Sequence, residues 1–231
     1  NAAFVEFAKG QMGYLPLTGQ IAPIHTDGTP RNDDRILIGD ELIVQVTKEA
    51  VKTKPPTVSC AIELPGRYAV LTRKKGIVTS VSKKIQDEDK RENLRCILQE
   101  YAGESYGFVA RTNSASCEEM TFRGEIEGLV KQYEQIIKQG IHRTVYSVLY
   151  RAADGYLSQI RDSLDGQSTG ILTDDEELYA QIQTYLEAGG LQDSMPLTLW
   201  DPDHGKMDAV YDISRTIEKV LRPKVWLRGG G

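Results

Sequence analysis

The residues best equipped for chemistry sit in Tyr106-Gly-Phe-Val-Ala-Arg-Thr-Asn-Ser-Ala-Ser116. Phe108, Val109 and Ala110 predict a short apolar strand, with Arg111 and Thr112 standing where it ends. A polar turn follows. Ser116-Cys-Glu-Glu119 then has the spacing of a capping box and predicts a helix start. A guanidinium fork, a hydroxyl and backbone N–H groups at the mouth of a turn make a seat for a phosphate. Arg-Thr at a strand end is also an ordinary solvated pair, so the dipeptide by itself decides nothing.

Other reactive side chains read as structural. Asp201, Asp203, His204 and Asp208 include metal-type ligands, yet Asp201-Pro-Asp-His-Gly205 is ordinary turn chemistry. The acids from Asp174 to Glu177 follow Thr173 at a predicted helix start, where they suit the helix dipole rather than acid/base work. There is no Ser/His/Asp grouping, Walker loop or Cys-x-x-Cys, and the three histidines, at 25, 142 and 204, form no cluster. Cys60, Cys96 and Cys117 lack metal spacing and cannot all pair. They read as buried or incidental thiols of a reducing cytoplasm.

The elements that must position Arg111 and Thr112 come from a chain of 231 residues, enough for one or two domains with a real core. No apolar run approaches the roughly 18 residues of a membrane span. Net charge is −5, but Lys48 to Arg95 holds twelve Lys/Arg against six Asp/Glu. A basic face on an acidic body suits binding of nucleic acid at a defined place; a charge run is equally a solvated surface. The chain opens on a strand at Asn1 rather than on Met, which reads as a trimmed fragment lacking its first strands.

Alternation predicts strands of a small barrel at residues 2–7 and 13–17, a loop over 25–34, and strands around Leu42, Val44 and Val46 and at 57–62. A basic loop with two prolines fills 48–56. Next come a strand at 67–72, a basic turn Arg73-Lys-Lys-Gly76, a strand-like 77–82 and a helix over 86–101 with Leu94, Ile97 and Leu98 on one face. After a strand at 107–111, a helix over 116–139 carries an inner stripe of Met120, Ile126, Leu129, Tyr133 and Ile136–Ile137 and stops at Gly140. Strands at 141–150, 170–172 and 195–200 alternate with helices over 152–164, from Thr173 to about 188 with a stop at Gly189-Gly190, and over 206–221. That order predicts an α/β layer.

Six motifs occur in succession: Asn1-Ala-Ala-Phe-Val-Glu-Phe7, Gly13-Tyr-Leu-Pro-Leu17, Gly39-Asp-Glu-Leu-Ile-Val-Gln-Val46, Leu64-Pro-Gly-Arg-Tyr-Ala-Val-Leu71, Val81-Ser-Lys-Lys-Ile85 and Val109-Ala-Arg-Thr112. In this order they resemble the non-catalytic front part of the ribonuclease E/G family of bacterial endoribonucleases. The resemblance runs nearly end to end, to Lys224-Val-Trp-Leu-Arg-Gly-Gly230. It implies a mixed α+β fold: a partial OB-fold barrel of the S1 type at 1–60, an α/β 5′-sensor unit at 61–140, and an RNase H-like α/β domain at 141–231.

The resemblance also implies RNA contact at Phe4, Tyr14 and Lys54, since exposed aromatics beside basic groups stack bases and meet phosphates. Without it, Phe4 and Tyr14 read as barrel core. It further implies that Arg111 and Thr112 hold a terminal 5′-monophosphate, while Gly66 and Val70 line the place of the first nucleotide. There are departures. Tyr14 stands where the family usually has Phe, and Thr79-Ser80 precede Val81-Ser-Lys-Lys84 where it often has Gly-Gly before Ile-Ser-Arg-Arg. Two lysines keep the charge and lose the planar fork. The turn after Thr112 is Asn-Ser-Ala-Ser rather than glycine-rich.

In the resembled family, cleavage uses magnesium-binding carboxylates on a DNase I-like domain that follows the segment matching Lys224 to Gly230. The expectation is therefore that these 231 residues do not cut RNA by themselves and hold no cofactor, magnesium belonging to the missing catalytic domain. The expected partner is single-stranded RNA, preferably 5′-monophosphorylated, in cytoplasmic RNA processing and decay, rRNA included. A homo-oligomer is expected, if at all, in the full-length protein. Two other readings stay open: a stand-alone, non-catalytic RNA-binding regulator, and an enzyme built on the Asp201–Asp208 acids.

Overall fold

The computed structural model describes residues 2–17, 23–26, 35–73, 79–152, 155–163, 169–188, 191–192 and 195–222. They divide into two compact units, Asn1–Ala152 and Ala153–Gly231. Lys74 to Gly76 of the basic turn, 77–78 of the strand-like stretch, most of the 25–34 loop, Gly189-Gly190 and the motif from Lys224 lie outside the described residues.

The first unit opens with β1 (Ala2–Ala8) and β2 (Gln11–Pro16), antiparallel about a tight turn in which Gly10 takes φ +76°. Glycine adopts that angle without strain, and its N–H donates to Glu6 Oε1 at 2.7 Å. With β3 (Gln45–Lys48) and β4 (Thr57–Ser59) these strands form a sheet of order β1-β2-β4-β3. Period-two alternation turns Ala3, Val5 and Phe7 inward onto Leu15, Val58 and Cys60, and turns Phe4 outward.

A second sheet, of order β5-β6-β8-β7, contains β5 (Ile62–Pro65), β6 (Ala69–Arg73), β7 (Ser80–Val81) and β8 (Gly107–Ala110). Two helices, α1 (Glu88–Tyr101) and α2 (Glu119–Gly140), cover its apolar face. Asp87 caps α1 by accepting the Lys90 N–H at 3.1 Å, and Glu88 and Asp89 occupy the first turn, where acids favour the dipole. Leu94, Ile97 and Leu98 are buried, as their spacing requires. Phe122, Ile126, Leu129, Tyr133 and Ile136 form the inner stripe of α2.

Four expectations change. Met120 is exposed and Phe122 takes its place in the stripe. At about 100° per residue, Phe122 stands about 40° from Ile126, and Met120 about 120° away. Ser116 does not cap α2; its hydroxyl donates to Asn113 O at 3.2 Å, inside a 3-10 turn over Thr112–Ser116, and Glu118 is the N-cap. A serine hydroxyl that bonds a nearby carbonyl is withdrawn from capping. Residues 141–150 form turns and unpaired extended chain, not a strand: Tyr146 takes φ +68°, and Val145, Tyr146, Val148 and Tyr150 are exposed. Alternation marks an extended segment, but a strand also needs a neighbour for its backbone groups. The helix expected over 206–221 breaks at Asp212, which sits in the left-handed region at φ +52°. Asp tolerates that conformation better than most residues.

The second unit pairs β9 (Ile171–Thr173) in parallel with β10 (Leu197–Leu199), a crossover that carries α4 (Glu176–Ala188). Ile182 and Leu186 of that helix are buried, as is Met195. Also in this unit are α3 (Gly155–Asp162), α5 (Met207–Tyr211) and α6 (Ile213–Val220). The chain is thus a mixed α/β protein with several sheets and six helices among the described residues. No described helix is long and apolar enough to cross a membrane.

Phe108 is 0% exposed and Phe4 64%. Phe108→Ala should therefore cost about 3–5 kcal/mol of stability in denaturant unfolding, and Phe4→Ala about 0.5 kcal/mol or less. Equal losses would contradict the outward placement of Phe4.

Candidate functional site

The residues singled out in the first unit gather in two clusters, one on each sheet. On the second sheet, the β6–β8 ladder pairs Ala69 with Ala110, Val70 with Val109 and Leu71 with Phe108. Past the end of β8 the Arg111 N–H still donates to Tyr68 O, at 2.7 Å. The strand's alternation therefore carries on: Phe108 and Ala110 face the core, Val109 and Arg111 the other side. The Arg111 carbonyl accepts the Ser114 N–H at 3.2 Å and the Ser114 hydroxyl at 2.6 Å. Those bonds start the 3-10 turn and leave Thr112 exposed at the strand's open end. Thr112 Oγ1 lies 3.0 Å from Ser82 Oγ. Ser82 is itself fixed by its N–H to Ala110 O at 2.9 Å, with Lys83 and Lys84 exposed beside it.

Across the ladder lie Gly66 and Val70, both half-buried. The Gly66 N–H donates to Ala69 O at 2.8 Å and closes the β5–β6 turn. That turn is pinned from α2. Glu125 Oε2 accepts the Arg67 N–H at 2.8 Å, and Oε1 accepts those of Tyr68 at 2.7 Å and Ala69 at 2.9 Å. A Cβ at position 66 would stand 2.6 Å from Glu125 Oε1 and 2.9 Å from Ala69 O, so only glycine fits this approach. The Arg67 guanidinium lies over the Tyr68 ring, 4.9 Å from its centroid. Burial pushes the Tyr68 hydroxyl and the Cys117 thiol up, which keeps both neutral near pH 7. A thiol held protonated is a poor nucleophile, and burial likewise pushes Cys60 up to about 11.

The other cluster lies on the outer face of the first sheet. Phe4 and Tyr14 are register partners across β1 and β2, 64% and 39% exposed, with ring centroids 6.0 Å apart in an edge-on pair. The alternative that both rings are barrel core is overturned. Tyr14 pairs in turn with Thr57 and donates its N–H to Pro56 O at 2.8 Å. Lys54 is exposed just ahead of that row, in a turn closed by mutual Val51 and Lys54 backbone bonds of 3.2 and 3.0 Å. Two exposed aromatic rings thus stand side by side, and Lys54 lies three residues along the chain from Thr57, the register partner of Tyr14.

The acidic groups are absorbed locally. Asp201 accepts the Asp203 N–H at 2.9 Å, Asp208 Oδ1 the Ser214 N–H at 2.7 Å, and Asp175 Oδ1 the Leu178 N–H at 2.9 Å as the cap of α4. Among the described residues no three His, Cys, Asp or Glu side chains gather where they could hold a metal ion. Sequence reasoning missed two members of the cluster on the second sheet. Ser82 was visible as part of Val81-Ser-Lys-Lys-Ile85 but had no partner assigned. Glu125 carried no local signal, because its contacts lie across a wide gap in the chain.

The family model described as "Ribonuclease E/G family" matches residues 63–231, well over half of the chain. The chain belongs to this family. A ribonuclease E/G-like protein of Porphyra purpurea is 28% identical over 235 residues, covering 100% of this chain and 46% of its own length. Ribonuclease E of Nostoc sp. is 27% identical over 235 residues, again 100% of this chain and 34% of its own length. Ribonuclease E of Escherichia coli is 25% identical over 237 residues, 100% of this chain and 22% of its own length. The chain spans less than half the length of these relatives.

Gly66→Ala forces a methyl group against Glu125 and the Ala69 carbonyl. The expected cost is about 1–3 kcal/mol in urea unfolding. A variant as stable as wild type would show that the turn is not clamped at this point.

Proposed function

We propose that this region of a ribonuclease E/G-type protein binds single-stranded RNA and senses its 5′ end. On this reading the first sheet belongs to an OB-type barrel of the S1 class. The second sheet with α1 and α2 is the 5′-sensor unit, and the α/β layer of the second unit is an RNase H-like scaffold. The observation that carries the reading is that Arg111 and Thr112 stand just past the end of β8, with the Thr112 and Ser82 hydroxyls 3.0 Å apart and Val70 across the ladder from Val109. A terminal monophosphate carries about −1.5 to −2 charges near pH 7, more than an internal phosphodiester. A guanidinium fork with a hydroxyl pair distinguishes the two by charge-assisted hydrogen bonds. Val70 offers the first base an apolar rest.

Phe4, Tyr14 and Lys54 then bind the strand without regard to sequence, since every base has a π-face and every linker a charge. RNA cleavage belongs, on this proposal, to the longer protein, where magnesium would serve it. RNA processing and decay in the cytoplasm is the setting that fits.

The test is binding of one short single-stranded RNA, carrying either a 5′-monophosphate or a 5′-hydroxyl, at fixed salt. The monophosphate form should bind more tightly, and Arg111→Ala should equalise the two. The preference should also shrink as pH falls below about 6, where the terminal phosphate takes up its second proton. Phe4→Ala should weaken both RNAs alike, by about 1–3 kcal/mol. Equal binding of both RNAs to wild type would sink the sensor and leave the aromatic face alone.

A further inference from the structure

We propose that Glu125 is a positioning residue for Arg111, an inference that rests on the phosphate seat proposed above. Its carboxylate accepts three consecutive backbone N–H groups, those of Arg67, Tyr68 and Ala69. Tyr68 is tied at both ends: its N–H donates to Glu125, and its carbonyl accepts the Arg111 N–H at 2.7 Å. A single residue therefore links the Glu125 carboxylate to the Arg111 main chain, from which the guanidinium projects.

Converging backbone N–H groups are the way a turn binds an anion. Here the anion is built into the protein, on a helix whose Phe122 and Ile126 are buried in the core. A site is held more tightly by a group on a packed helix than by one on a loop. Bonds to a charged acceptor are also stronger than neutral ones. Removing the carboxylate leaves three N–H groups without their acceptor and frees the β5–β6 turn. The Tyr68 carbonyl then no longer holds Arg111 at a fixed height beside the end of β8. Glu125 meets the turn from its N–H side, so its effect on a phosphate passes through Tyr68 and Arg111.

The experiment measures the affinity ratio of 5′-monophosphate to 5′-hydroxyl RNA on the full 231-residue chain, with thermal melts on every variant. Glu125→Ala should lower the ratio about fivefold or more, and adding Arg111→Ala should lower it no further than Arg111→Ala does alone. Glu125→Gln should lower it less, since its amide keeps one acceptor oxygen and turns a donor toward the turn. Glu127→Gln, which alters the acceptor of the Tyr101 hydroxyl on the same helix, should keep the wild-type ratio. Folded Glu125 variants that keep the wild-type ratio, in a protein where Arg111→Ala abolishes it, would overturn the positioning role and leave the seat standing. A wild type that does not discriminate overturns both. Should Glu125→Ala fail to fold, Glu125→Gln decides, read with amide exchange at residues 67–69 and 111.

Discussion

Antiparallel pairing of β6 with β8 is the constraint on which the first unit depends. It joins segments far apart in the chain, so loop closure must be compensated by what the pairing buries. Leu71 and Phe108 meet on the inner face, against Leu98 of α1 and Phe122 of α2. A slip of one residue would send that pair outward and bring Val70 and Val109 in. The helices cover one face only, so the core itself fixes the register. Arg111 inherits its direction from that register, and the Tyr68 carbonyl extends the ladder one step to hold it.

The two clusters differ in what they cost the fold. Leaving a Phe side chain in water forgoes about 1.5–3 kcal/mol of burial, and β1 bears this because Phe7, on its other face, supplies the core contact. The cluster on the second sheet costs little hydrophobic burial and rests on backbone held by the Glu125 clamp and the Ser82–Ala110 bond. Electrostatics act locally in both places. The chain is acidic overall, at −5, and at physiological salt charges fade over about 8 Å. A polyanion therefore responds to Lys54, Lys83, Lys84 and Arg111 nearby rather than to the net charge.

What was legible in the sequence follows from the range of the physics involved. The α1 stripe of Leu94, Ile97 and Leu98 and the strand at 107–110 rest on local periodicity, and both lie where expected. Arg111 and Thr112 were expected where the strand ends, and they stand there, just past Ala110. Met120 misled because a helix stripe is an angle, and the first turn contained a better-placed Phe122. The 141–150 segment misled because alternation is local whereas pairing is not. Alternation on β1 also separates Phe4 from Phe7 without saying which faces inward; the neighbours Leu15 and Val58 decide that. Glu125 and Ser82 were hidden for the same reason. Their partners lie at Arg67 to Ala69 and at Thr112, and no local pattern encodes such distances.

On the proposed function, placing both clusters in one compact unit changes what each must accomplish. An aromatic face that stacks any base holds RNA without choosing where along it to sit. A phosphate seat that grips only a terminal group chooses but, with so few contacts, holds weakly. When both engage one strand, the second contact forms at the effective concentration set by the first, and their free energies combine without any new contact. The selective step can then be individually weak, provided that its geometry is fixed beforehand. A seat with one guanidinium and a pair of hydroxyls has little to spare for ordering itself on binding. That is the physical reason a half-buried turn, clamped by a carboxylate from α2, belongs beside it.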